Sequence, residues 1–215
     1  DSYDWPIYDA SNNTRAYGIY IKKSNVKVEN NTFDINIPTF TVNWGAVREA
    51  FSEGIVLDGC DDLIFKGNDV TVTAINGSSY DTIYGIDVLN SANANIVDNS
   101  LILKGKGYSY GIIINDVFTI SKNNITVLSD NYACGIEVEG SGMVSNNTVV
   151  AIATTTAYPI YSGMDYIGAL IVDYVDNQVY GNAYFVVGMS LSVGKEDVVN
   201  NTIIAEGNYT VGIGS

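Results

Sequence analysis

The chain has 215 residues, 47% of them hydrophobic, enough to bury a substantial core and better suited to one domain than two. Asp and Glu number 24 against 10 Lys and Arg, a net charge of −14, which argues against nucleic acid and anionic membrane as partners because both need basic patches. Histidine is absent, which removes the commonest general base, the usual Ser-His-Asp triad and every His-based zinc site.

Near its start the chain has a stretch, Tyr3–Tyr8, whose Trp5 and Pro6 suit it to shielding the first coil of the fold that follows. From Gly18 a unit then recurs, a Gly followed by alternating apolar residues, at Gly18, Gly54, Gly85, Gly111 and Gly135. It continues more loosely at Gly163 and Gly188, and a last copy begins at Gly212. After each of the first seven glycines comes an asparagine: Asn31, Asn68, Asn99, Asn123, Asn147, Asn177 and Asn201. Three residues before it stand Val28, Phe65, Ile96, Ile120, Val144, Tyr174 and Val198, and two after it Phe33, Val70, Leu101, Ile125, Val149, Val179 and Ile203. All are apolar or aromatic in a chain only 47% hydrophobic, so the repeat is real.

The unit alternates with period two and is built of strands; the one helical-looking stretch is Ala46–Glu53, with Asn43 as cap and Gly54 as stop. Short strands at this repeat length suit neither a propeller blade nor a leucine-rich repeat and predict a parallel β-helix of about seven coils. The Asn column marks a corner, where Asn tolerates the left-handed backbone and stacked amides form a ladder along the axis. The residues after each Gly, Ile19, Ile55, Ile86, Ile112, Ile136, Met164 and Met189, are expected in the core. The spacing from each Asn to the next Gly varies while that from Gly to Asn is nearly fixed, so the insertion loops are expected at one corner.

This column pattern resembles the right-handed parallel β-helix repeats of pectate lyases, periplasmic copper-deposition proteins and large surface proteins. The acidic, Asn- and Tyr-rich composition, with Asn30-Asn31-Thr32-Phe33, Asn123-Asn124-Ile125-Thr126-Val127 and Asn146-Asn147-Thr148-Val149-Val150, looks most like the adhesin-like surface proteins of methanogenic archaea. The resemblance implies one β-helix domain over 1–215, an excerpt of a larger protein, extracellular and at the cell surface. It implies binding to a glycan or to a surface protein of another cell. The alternatives are a polysaccharide-acting lyase or hydrolase of the pectin-degrading β-helix type and a pure spacer. Asp61-Asp62 echoes the aspartate pairs of those hydrolases, but no Arg-x-Lys accompanies it, and it reads as a turn.

Phe40, Trp44 and Phe51 in the longest insertion, Tyr80 in the second and Tyr158 with Tyr161 in the fifth are the candidate ligand contacts, rings beside polar groups. The column two after Gly, namely Tyr20, Val56, Asp87, Ile113, Glu137, Asp165 and Ser190, is expected on the solvent face. Glu137 and Asp165 would then adjoin on neighbouring coils; no cofactor is required, and Ca²⁺ is the hard cation such a pair would take. Cys60 and Cys134 fall three coils apart, about 14 Å, beyond the ~7 Å reach of a disulfide.

Overall fold

The computed structural model describes residues 7–8, 14–23, 25–37, 50–74, 81–163, 171–191 and 195–214, and every regular element among them is a strand. A first sheet stacks Thr14–Lys22, Ala50–Asp58, Thr82–Leu89, Tyr108–Ile114, Tyr132–Val138, Thr156–Ser162, Phe185–Ser190 and Tyr209–Gly214 in parallel. A second stacks Lys27–Glu29, Ile64–Lys66, Ala94–Val97, Phe118–Ser121, Gly142–Ser145, Ile171–Val175 and Lys195–Val199. A third stacks Thr32–Asn36, Asp69–Ala74, Ser100–Gly105, Asn124–Ser129, Thr148–Ala153, Gln178–Asn182 and Thr202–Glu206. Consecutive strands fall in the first, second and third sheet in turn, so each circuit returns one strand spacing further along, the layout of a parallel β-helix. Ile7–Tyr8 pairs antiparallel with Thr14 and Arg15 at the edge of the first sheet.

Within Ala46–Glu53, the stretch expected to be helical, Ala50 onward is strand, and Ala46–Glu49 lie outside the described residues. Pairing with Thr14–Lys22 on one side and Thr82–Leu89 on the other outweighs local helix propensity there.

The core lies between the sheets. The columns flanking each Asn are in it, from Phe65, Ile96, Ile120, Val144 and Tyr174 on one side to Val70, Leu101, Ile125, Val149 and Val179 on the other. In the first sheet the alternation breaks at the glycine. Ile83 and Ala133, two residues before it, and Ile86 and Ile136, one after it, are all buried in the core, so the strand bends there. A Cβ on Gly54 would lie 2.6 Å from the Gly85 carbonyl oxygen and 2.6 Å from Val72 Cγ2, so only Gly fits the bend at that level.

The sixth unit departs from the expected register. Pro159, not Gly163, takes the bend, and Ile160, not Met164, stacks between Ile136 and Met189. Proline is accepted because the residue at the bend has no ladder partner on either side. Segment 163–170 therefore joins the first sheet to the second, whereas 37–49 and 75–81 join the third to the first. The insertions leave from two corners rather than one.

The Asn ladder forms, with a different division of labour from the expected one. The left-handed residue is the one before each ladder Asn: Asn30, Gly67, Asp98, Lys122, Asn146, Asp176 and Asn200 all have φ between 53° and 65°. The ladder asparagines supply hydrogen bonds. Asn68, Asn99, Asn123, Asn147 and Asn177 are buried, and each Oδ1 accepts both the backbone N–H and the Nδ2–H of the preceding rung. Each Nδ2 also donates back to a backbone carbonyl one circuit earlier, such as Asn99 to Phe65 at 2.9 Å. Asp61 and Asp62 form an exposed turn, as expected, with Asp62 left-handed.

Candidate binding face on the first sheet

Outward positions of the first sheet, just before the bend, are rich in tyrosine. Tyr84, Tyr110, Cys134 and Tyr158 stand opposite one another on successive strands. Two residues earlier, Tyr108, Tyr132, Thr156 and Phe185 do the same. Side chains in register on a parallel sheet must meet, and here the rings do. Tyr84 stacks on Tyr110 with centroids 5.3 Å apart, Tyr110 reaches Tyr132 at 5.4 Å, Tyr132 reaches Tyr158 at 5.6 Å and Tyr158 reaches Phe185 at 6.3 Å. Tyr132 thus carries the row past Cys134, where the Tyr column is interrupted. Tyr108 beside Tyr132 and Tyr161 edge-on to Tyr158, each at 5.6 Å, widen the row. Each such pair contributes about 0.5–1.5 kcal/mol beyond burial.

Under these rings Cys134 is fully buried, outside the core between the sheets. Burial, with the nearby Glu137 carboxyl second, pushes its thiol pKa well up. Burial likewise raises the phenol pKa of Tyr110, Tyr132, Tyr158 and Tyr161. Cys60 is the other buried free thiol, inside the core, and no disulfide joins the two.

Glu137 lies three residues beyond Cys134 on the same strand, between Ile113 and Tyr161 on its neighbours. It is partly buried, and its carboxylate makes no hydrogen bond or ion pair to a described residue. Burial first, then the charge of Glu139, pushes its carboxyl up to about 7. A contrasting carboxyl, Asp58, sits where the first sheet ends. It accepts from Tyr20 Oη at 2.6 Å, Lys22 Nζ at 2.9 Å and Asn90 Nδ2 at 3.1 Å, and these bonds, Tyr20's foremost, hold it at about 2.

Several expected site residues fall elsewhere. Tyr158 and Tyr161 are in a strand rather than an insertion, and so is Phe51, opposite Arg15 and Thr82. Phe40, Trp44, Tyr80 and Asp165 lie outside the described residues. The residue opposite Glu137 is Tyr161, because the bend is at Pro159, so the Glu137–Asp165 adjacency rested on the wrong register. The column expected on the solvent face is not uniformly exposed, since Val56 and Asp87 are buried. No group of three or more His, Cys, Asp or Glu suited to a metal occurs among the described residues.

No family model, curated protein or solved structure matches this chain.

The tyrosine row was not read from the sequence. Its signal is a Tyr one or three residues before the bend, at Tyr84, Tyr108, Tyr110, Tyr132 and Tyr158.

Proposed function

We propose that this chain is an extracellular, adhesin-like module, a right-handed β-helix of about seven coils that binds a glycan or a partner-cell surface without enzymatic chemistry. The observation that carries the reading is the row of rings on one outer sheet face, running across five strands from Tyr84 to Phe185. Rings with phenol ends combine apolar area and hydrogen-bonding capacity, the composition of a recognition surface. Tyr84 and Tyr110 stack at 29°, so these two turn their faces to each other. The right-handed winding follows from the strong handedness rule for parallel crossovers. Binding is favoured over two-carboxylate glycosidase chemistry because Ile113 and Tyr161 flank Glu137 across the sheet, and the one carboxylate acting on it among the described residues, Glu139, lies two residues further along the same chain segment rather than opposite it.

The test uses the full chain on a glycan array and on whole cells, beside Tyr108→Ala and Tyr161→Ala, with polysaccharide-degradation assays run in parallel. Binding should fall about tenfold or more in at least one variant whose thermal midpoint is nearly unchanged. Equal binding by well-folded variants, or release of sugar products, would overturn the reading.

A further inference from the structure

We propose that Glu137 and the tyrosines around it form a binding site for an organic ammonium group presented by the partner. The inference rests on reading this sheet face as a recognition surface and names the chemistry it takes. Tyr161 lies opposite Glu137 on the next strand, and Tyr158 meets Tyr161 edge to face at 71°. Tyr110 and Tyr158 flank Cys134 on its neighbouring strands, and Tyr132 links their rings. The result is a carboxylate at the margin of four rings, over a floor closed by a buried Cys134.

A partly buried carboxylate loses hydration and normally recovers it from a cation or from several donors. Glu137 has neither among the described residues, unlike Asp58 with its Tyr, Lys and Asn partners. The environment discriminates between cations. A hard metal ion wants several oxygens, and beside Glu137 the neighbouring strands offer only Ile113 and the phenol of Tyr161, with Glu139 as the one further carboxylate and no group of three such ligands among the described residues. An alkylammonium wants one negative charge and aromatic surface, which is the composition present. Glu139, two residues further along, adds negative potential. The other titratable groups around the site, Tyr110, Tyr132, Tyr158, Tyr161 and Cys134, all have raised pKa values and stay neutral near pH 7, so the carboxyls of Glu137 and Glu139 set its charge there. Two sources carry this chemistry, a trimethylammonium headgroup and a lysine side chain.

The test titrates the full chain with choline chloride and, separately, with Nα-acetyl-lysine methylamide, following tyrosine signals by NMR with sodium chloride at matched ionic strength as the control. Saturable binding at millimolar concentration is expected for at least one probe, with the tighter one identifying the source. Affinity should fall about tenfold in Glu137→Gln and likewise at about pH 5, where the carboxyl is protonated. Tyr161→Leu should weaken binding while Glu137 keeps its pH titration, which separates loss of the ring from loss of the fold. No saturable binding, an equal response from Glu137→Gln, or tighter saturation by calcium chloride would each overturn the proposal. If both probes fail while Tyr108→Ala or Tyr161→Ala still abolishes glycan or cell binding, this site is lost and the proposed function stands.

Discussion

Asn123 takes two hydrogen bonds from Asn99 on a single oxygen: its Oδ1 accepts the Asn99 backbone N–H at 2.9 Å and the Asn99 Nδ2–H at 3.0 Å. Its own Nδ2 donates to the Ile96 carbonyl at 2.8 Å and to Asn147 Oδ1 at 3.0 Å. Asn123→Ala would leave buried groups on Asn99 and Ile96 without partners, at about 1–3 kcal/mol each. A total loss of about 3 kcal/mol or more is expected in urea unfolding, against a much smaller loss for Asn31→Ala at the exposed first rung. Equal losses at the two positions would show that the ladder does not stabilise the core as described.

The demand for glycine at the bend differs from circuit to circuit. Gly54→Ala should cost about 1–3 kcal/mol, since its Cβ meets the Gly85 carbonyl and Val72. Gly212→Ala should lie within about 0.5 kcal/mol of the parent, since its Cβ would meet nothing within 4 Å. Chemical denaturation of the two variants side by side checks the pair.

Glu137 and Asp58 titrate with opposite consequences for stability. The Glu137 carboxyl is raised in the fold, so the contribution of its protonated form is complete below the ordinary carboxylate range and disappears as pH rises through about 7. Glu137→Gln should therefore be more stable than the parent above pH 7, the difference closing at about pH 4. Unfolding midpoints measured across that interval decide it.

The Asp58 carboxyl is lowered, so its contribution is complete above the ordinary carboxylate range and is lost as pH falls through about 2. Asp58→Asn should be less stable than the parent at neutral pH and should lose less on acidification. A parallel loss in both proteins would show that Tyr20, Lys22 and Asn90 do not hold the charge.

Two free thiols should appear on titration under denaturing, non-reducing conditions. In the folded protein Cys134 should react slowly even above pH 8, because burial suppresses its thiolate. Rapid labelling of Cys134 in the native state would mean that the rings above it open.

Much of this architecture was legible because two constraints act on every circuit. The ladder Asn and its flanking apolar residues, Phe65-x-x-Asn68-x-Val70 for example, hold the same places each time, so their column survives changes around it. The left-handed position is one residue before the column that the composition marks. Its occupant changes from Asn30 to Gly67 to Asp98 to Lys122, and a place defined by backbone geometry leaves little trace in composition. The sixth circuit slipped because Pro159 meets the bend's requirement by another route while Gly163 lies nearby as a decoy. The slip moved Tyr158 and Tyr161 into an imagined loop and paired Glu137 with the wrong residue. The tyrosine row is hard to see in the sequence because it lies before the bend and crosses between two outward columns, one interrupted at Cys134 and the other at Thr156.

The amide ladder gives the solenoid a direction. Every rung from Asn31 to Asn177 sends its N–H groups toward the next rung's oxygen, so the bond dipoles add along the axis as peptide dipoles do in a helix. Among the described residues, Asn31 Oδ1 receives no earlier rung and the Asn201 backbone N–H reaches no later one. One pole is an acceptor and the other a donor. Two such stacks laid with like poles together would set lone pair against lone pair, or hydrogen against hydrogen. Only unlike poles can meet, so this rod has a heading as well as a length.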